Sequence, residues 1–460
     1  MIRRTLASVA CMIDASLESR WGGVEIHGVS TDTRTLQPGN LFVPIVGERF
    51  DGHQFAEEAV RKGAAALLWK RDTAGAPKDV PILYVDDTLR AIQRLAAAYR
   101  RQLGVRVIGV TGSNGKTSTK DMLASVLSVR YKTQKTPGNL NNQLGVPLTL
   151  LGLDEDAEYA VVEMGMSGLG EIRELCRIAK PDTGIITNVS EVHLGDLHTR
   201  ERIMQAKLEM AECMTTPDHL FIYNGDHERM YRIVHEMNLP CKRVTFGQRY
   251  YNQLRAEEIR VTREGVSFRT GELKVHIPVL GKHQAMNALA VIAAAKHAGL
   301  TDEEIRRGFA QVQLTGMRME WEDVAGISII NDAYKSNPSS VRAALDLVYE
   351  LEPYERKIVV LGDMVELGEE SVELHREIGR YLSAEHLSYV FTIGSFAKDI
   401  ARTAAGRFAP GKVIACDDQE QLLRKLLPVM AEGTLLLVKG SRTLGLERLV
   451  DALKREVGDV

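Results

Sequence analysis

Apolar and polar positions along the chain follow two rhythms. Between residues 86 and 103, Leu89, Ile92, Leu95, Ala96 and Tyr99 recur at helical spacing, which predicts an amphipathic helix. Shorter helices are predicted at 5–13 and 55–62, and a strand-like run at 41–46. Further on, compact apolar runs at 105–110, 160–163 and 183–187 read as buried strands with helices between them. That alternation predicts a parallel sheet with crossover helices. From 260 to 278 the pattern alternates residue by residue, as in a small antiparallel addition, and an alanine-rich helix follows at 287–298. Beyond residue 316, runs at 327–330, 357–361, 389–393 and 435–438 are mostly about 30 residues apart, the βαβ rhythm of a doubly wound domain. The expected architecture is α/β in three domains, 1–84, 85–315 and 316–460, which suits a chain of 460 residues.

Composition narrows the function. Lys plus Arg is 58 against 61 for Asp plus Glu, a net charge of −3, so no nucleic-acid partner is expected. With 44% hydrophobic and 26% charged residues the chain reads as globular, and without a long apolar run no membrane insertion is expected. Arg3 and Arg4 precede a short apolar stretch that imitates a secretory leader, but Asp14 and Glu18 interrupt it. Five scattered cysteines with no CxxC pair read as reduced thiols, and a cytoplasmic protein is expected.

The strongest chemical motif is Thr111-Gly112-Ser113-Asn114-Gly115-Lys116-Thr117, followed by Ser118, where a strand gives way to a helix. A glycine-bearing loop opening a helix presents backbone N–H groups to phosphate oxygens. Lys116 would reach the β- and γ-phosphates, and the Thr117 hydroxyl would bind Mg²⁺. The run is shorter than the usual phosphate loop, since Val110 stands five residues before Gly115. Glu163 at a strand end and His193 after the next strand are candidate metal ligands. Each taken alone also reads as an ordinary strand-end carboxylate or a loop histidine.

These residues resemble the Mur ligase superfamily, whose ATP loop reads TG(T/S)NGKT. The resemblance extends over nearly the whole chain. It includes Val29-Ser30-Thr31-Asp32-Thr33-Arg34, Asn139-Leu140-Asn141-Asn142-Gln143-Leu144-Gly145, Glu163-Met164-Gly165, Asn331-Asp332-Ala333-Tyr334, the run from Leu361 to Gly368, and Val438-Lys439-Gly440-Ser441-Arg442. No Asp-Asn-Pro-Arg run of the diaminopimelate-adding branch is present, and folylpolyglutamate synthases lack a counterpart of residues 1–84. The sequence departs from the family at Gln284, where asparagine is usual, at Lys335, and in the segment 194–198.

The resemblance implies a central P-loop parallel-sheet ATPase domain between an N-terminal α/β domain for a UDP-sugar-peptide and a C-terminal Rossmann-like domain. It implies an ATP-dependent amide ligase that joins D-alanyl-D-alanine to UDP-N-acetylmuramoyl-tripeptide through an acyl phosphate, in peptidoglycan precursor synthesis. Ser30, Thr31, Asp32, Arg34, Asn141 and Asn142 would bind that acceptor. Asn287 would contact adenine, Arg318 a phosphate and Asp332 the ribose. Lys116, Glu163, His193, Lys207 and Arg318 would carry the catalytic electrostatics. Lys207, in Gln205-Ala206-Lys207-Leu208-Glu209, matches a lysine carbamoylated by CO₂, which would hold a second Mg²⁺. By pattern alone it reads as a solvated helical lysine. A monomer is expected, with the third domain closing on the second around the ligands. The competing classes are a nucleotide-binding regulatory or scaffold protein, and a related ligase adding a different amino acid or dipeptide.

Overall fold

The computed structural model describes residues 1–47, 50–191 and 194–458. Near the N-terminus, Val29–Ser30, Leu41–Phe42, Ala66–Lys70 and Ile82–Val85 form a parallel sheet, beside an antiparallel pair of Arg3–Thr5 with Glu25–His27. The apolar run 41–46 contributes only Leu41–Phe42 to this sheet, because Pro44 has no N–H to continue a ladder. The Thr88 hydroxyl takes the Pro44 carbonyl instead, at 2.6 Å. Helix Thr88–Gln102 starts where the Asp87 side chain accepts from the Arg90 N–H. Its apolar stripe buries Ile92, Leu95, Ala96 and Tyr99, each worth about 1–3 kcal/mol of apolar burial. The Tyr99 hydroxyl donates to the Leu153 carbonyl at 2.9 Å, bonding this helix to the next unit.

The central sheet has seven parallel strands in the order Leu254–Arg255, Lys242–Gly247, Leu220–Asn224, Thr183–Ile186, Arg106–Thr111, Tyr159–Glu163, Thr133–Lys135. Val107, Ile108 and Val110 are buried on opposite faces, as helices cover both sides of such a sheet. The strands at 220–224, 242–247 and 133–135 were not marked by the apolar pattern. The outer ones carry exposed Lys242, Arg243 and Lys135 among their residues, which dilutes it. An antiparallel sheet of Glu257–Thr262, Gly265–Thr270 and Leu273–Ile277 follows. The alanine-rich helix runs His283–His297, four residues longer at its start than the apolar pattern predicts. Its first turn is polar because it faces the cleft described below.

The last sheet has the order Glu320–Val324, Ile327–Asp332, Thr434–Lys439, Arg356–Gly362, Tyr389–Ile393, Val413–Cys416, parallel except for its antiparallel first edge. Arg106–Thr111, Tyr159–Glu163, Ile327–Asp332 and Thr434–Lys439 all end at one cleft, where ligands gather in open parallel sheets. Among the described residues no helix is long and apolar enough to cross a membrane.

Candidate active site

The floor of the cleft is the loop between strand Arg106–Thr111 and helix Lys116–Leu127. Two glycines permit its path. A Cβ on Gly112 (φ 146°) would lie 1.9 Å from the Thr187 hydroxyl, and one on Gly115 (φ 81°) would lie 2.4 Å from Asn287 Oδ1. The neighbouring strand end then clasps the loop. Asn188 accepts from the Ser113 and Asn114 N–H groups, at 3.0 Å and 2.8 Å, and the Thr187 hydroxyl donates to the Asn114 carbonyl at 2.5 Å. No side chain caps the helix at Gly115, so its first N–H groups remain for an anion. Lys116 Nζ bends back to the Gly112 carbonyl at 2.7 Å. Burial and the adjacent Lys335 pull its ammonium down to about 8, with Glu163 opposing.

Thr117 donates to Glu163 Oε2 at 2.9 Å, and Asn141 Nδ2 donates to Oε1 at 2.8 Å, which fixes both carboxylate oxygens. Thr111 is wholly buried beneath the loop, while Ser118, Asn141 and Asn142 face the cleft. Asn287 packs against Gly115, and its side-chain amide donates to Gln284 Oε1 at 2.9 Å. Gln284, the departure from the family pattern, thus orients the asparagine expected at adenine.

The opposite wall comes from the last unit. The guanidinium of Arg318 lies 4.2 Å from the ring centroid of Tyr334, and its Nε is buried with no partner among the described residues. Met317 (φ 58°) and Met319 (φ 53°) hold left-handed backbone on either side of it. Asp332 Oδ2 accepts from Lys439 Nζ at 2.6 Å, and the same ammonium donates to the Lys335 carbonyl at 2.9 Å. Lys335 itself pairs with Glu366 at 3.1 Å.

Floor and wall touch. Asn114 and Asn337 exchange amide hydrogen bonds of 3.3 Å and 2.7 Å, and Asn114 also donates to the Ser339 hydroxyl at 2.8 Å. The cleft between them has a volume of about 610 Å³.

The expected residues fall into groups. Ser113 to Ser118, Glu163, Asn141, Asn142, Asn287, Arg318 and Asp332 meet at the cleft. Ser30, Thr31, Asp32 and Arg34 do not line it. They form a turn in the first unit, where Arg34 clasps Asp32 at 2.6 Å and holds that carboxyl below its usual range. Lys207 lies inside helix Arg200–Glu212 and is 2% exposed, so it is not the solvated lysine its pattern would allow. Burial drives its ammonium well below the usual lysine range, with Lys116 and Lys335 adding repulsion. His193 lies outside the described residues. Among the described residues no three His, Cys, Asp or Glu side chains cluster as a metal cage. Tyr334, Lys335, Glu366 and Lys439 also line the cleft but were not expected as site residues. Lys439 had a signal, as the last residue of a buried apolar strand.

Known proteins resemble this chain over nearly its whole length. Residues 25–100 match the profile "Mur ligase family, catalytic domain", 110–295 "Mur ligase middle domain" and 317–442 "Mur ligase, glutamate ligase domain". The UDP-N-acetylmuramoyl-tripeptide--D-alanyl-D-alanine ligase of Bacillus subtilis (strain 168) is 42% identical over 457 residues, 98% of this chain and 99% of that one. The enzyme of the same name from Escherichia coli (strain K12) is 34% identical, with 99% of each chain covered. Among solved structures, MurF from Acinetobacter baumannii superposes with a TM-score of 0.89 at 29% identity, covering 99% of both chains. MurF ligase from Thermotoga maritima in complex with ADP gives 0.82 at 26% identity, over 94% of this chain and 98% of that one. On these matches and this three-domain architecture, the chain belongs to the Mur ligase family.

Proposed function

We propose that this protein joins D-alanyl-D-alanine to UDP-N-acetylmuramoyl-tripeptide with ATP as the energy source, yielding the pentapeptide precursor of peptidoglycan, ADP and phosphate. The observation that carries this reading is the single cleft in which a phosphate loop, a fixed carboxylate and the cationic wall of a second Rossmann-like sheet face one another. Full-length relatives bearing that name, and the ADP held by the Thermotoga maritima structure, support it.

A carboxylate is a poor electrophile. An acceptor carboxylate oxygen attacks the γ-phosphorus of ATP and ADP leaves, giving an acyl phosphate. The amine of D-alanyl-D-alanine, having shed its proton, attacks the carbonyl, and the tetrahedral intermediate expels phosphate. The protein's task is to hold charge in place around the transferring group rather than to form a bond itself. The helix N-terminus and Lys116 face the phosphates. Asn287 and Asp332 face adenine and ribose. Arg318, stacked on Tyr334, reaches the phosphates from the other wall.

The Thr117 hydroxyl and Glu163 carboxylate form a hard oxygen pair that suits Mg²⁺. Bound there, the ion would neutralise phosphate charge. Lys207 has no carboxylate within salt-bridge range among the described residues, and burial favours its neutral amine. The neutral form is the one that takes up CO₂, and the resulting carbamate would offer oxygens to a second Mg²⁺. Ser30, Thr31, Asp32 and Arg34 take the UDP end of the acceptor, with Asn141 and Asn142 nearer the reacting end. Residues 1–84, 85–315 and 316–460 serve as acceptor, ATPase and closing units. The protein works as a monomer in this reading, in the cytoplasm where UDP-linked precursors and ATP occur together.

The test is incubation with ATP, Mg²⁺, D-alanyl-D-alanine and the tripeptide acceptor, with product mass as readout. The expected product carries both alanines. Phosphate release without that product would sink the reading.

A further inference from the structure

Lys120 stands one turn beyond Lys116 on helix Lys116–Leu127, so the two share a face. It is 0% exposed, an uncommon place for an ammonium. Its Nζ donates to the Gly138 carbonyl at 2.8 Å and lies 3.6 Å from Glu163 Oε2 and 3.8 Å from Asp121 Oδ1. Gly138 belongs to the loop that carries Asn141 and Asn142, and its own surroundings are open, with no atom within 4 Å of where a Cβ would sit. Packing therefore does little for that turn, and the bond from Lys120 beneath anchors it.

The same loop meets Glu163 at two other points. The Glu163 N–H donates to the Thr136 hydroxyl at 3.0 Å, and Asn141 donates to its carboxylate. Asp121 extends the chain of charges. It accepts from Lys135 at 2.7 Å and from the Thr315 N–H and hydroxyl, both at 2.9 Å, three residues before Arg318. An apolar side chain at 120 would leave the Gly138 carbonyl without its donor and the buried Glu163 and Asp121 carboxylates without this neighbouring cation, so the ammonium ties loop and carboxylate together.

We propose that Lys120 is a positioning residue for amide ligation, holding the 136–142 loop in register with the Glu163 carboxylate so that acceptor and nucleotide meet in one geometry. This rests on the ligase reading above, because it assigns the loop to the acceptor. Lys120 touches neither substrate. It acts through Gly138, Asn141 and Glu163.

The experiment compares wild type, Lys120→Met, and Lys120→Gln, which keeps one donor for the Gly138 carbonyl. For Lys120→Met, kcat/KM for the acceptor is expected to fall about 30-fold, as for loss of a hydrogen bond from a charged group. The Kd for ADP by calorimetry is expected to move by less than about 3-fold, and Lys120→Gln to recover part of the loss. Combining Lys120→Met with Asn141→Ala should cost less than the two single losses together, since both act through one loop. A purely structural lysine would lower the melting temperature and leave these ratios alone.

If Lys120→Met does not fold, Lys120→Gln, which still loses the charge beside Glu163, carries the comparison with a smaller expected fall in acceptor kcat/KM. Unchanged acceptor kcat/KM in a folded variant overturns the proposal, as does an equal loss of ADP affinity. A wild-type protein that makes no amide product sinks the ligase reading instead. The Kd of the acceptor, which needs no turnover, then still tests the loop, and an unchanged value in the variant overturns the proposal.

Discussion

The floor and the far wall of the cleft are built in opposite ways. The floor is one short run, residues 111–118, whose shape follows from two glycines, a helix start and the bonds from Thr187 and Asn188 on the adjacent strand end. The wall is assembled from residues far apart in sequence. Arg318 sits between two left-handed methionines, Tyr334 supports it from the next strand end, and Lys439 fixes Asp332 from a strand more than a hundred residues on. A floor of this kind is preorganised by its own backbone. The wall depends on where the last unit rests, and the Asn114–Asn337 pair joins the two. Substitutions in the floor should therefore damage nucleotide binding, and those in the wall the rate after binding.

The largest effect is expected from the floor. Lys116→Ala should lower ligation by at least about 10³-fold, the scale for removing a principal charge from a transferring phosphate, with little change in melting temperature because the side chain packs no core. Phosphate release and thermal melting measured together check this. In the wall, Arg318→Ala should cut kcat by about 10²-fold while the Kd for ADP changes only a few-fold. Tyr334→Phe should keep most activity and Tyr334→Leu lose a good part of it, because the ring rather than the hydroxyl supports the guanidinium. A matching loss of ADP affinity in either wall variant would erase the distinction between the two regions.

Asn337→Ala tests the joint. It removes the inter-unit pair and also the cap of helix Pro338–Glu350, where Asn337 accepts from the Ser340 N–H. A loss of about 1 kcal/mol in stability is expected from the cap, seen in denaturant unfolding. Asn114→Ala leaves the cap intact and, because this floor residue is half of the joint, should lower kcat by up to about 10-fold through the lost contacts with the wall.

A smaller effect concerns pH. Burial, with Lys335 beside it, brings Lys116 to about 8 in the free protein, and phosphate oxygens favour the ammonium and raise that value on binding. Below about 8 the lysine is charged before and after binding, so affinity is level. Between about 8 and the ordinary lysine value of 10.5, ADP binding should take up a proton and weaken as pH rises. Calorimetry in buffers of different ionisation enthalpy reads that proton directly. Affinity that strengthens with pH in this range would contradict the environment described for Lys116.

How much of this was legible in the sequence follows from the same contrast. The floor's motif is contiguous and its chemistry is written in residue order, so Gly112, Gly115, Lys116 and Thr117 stand out unaided. Glu163 could be singled out because a buried strand ends at it, whereas Asp332 was named through the family resemblance. Lys120 carried no signal. Thr-Ser-Thr-Lys-Asp reads as a solvated helix face, and only the sheet beneath and the loop above make it buried. The Asn114–Asn337 contact spans 223 residues and depends on how two sheets are set against each other, which no local pattern encodes. Strand 41–46 was overread because its apolar residues mask the effect of Pro44. Lys207 was read from the resemblance alone, and its burial is not written in the local pattern.

The central claim is that floor and wall together stabilise transfer of the γ-phosphoryl group to the acceptor carboxylate. An acceptor whose terminal carboxylate carries a heavy oxygen isotope in both positions, turned over with ATP and D-alanyl-D-alanine, tests it most directly. An acyl phosphate requires that one labelled oxygen leave with the inorganic phosphate, and mass analysis should find it there in proportion to amide formed. Amide product accompanied by phosphate free of label would contradict the account.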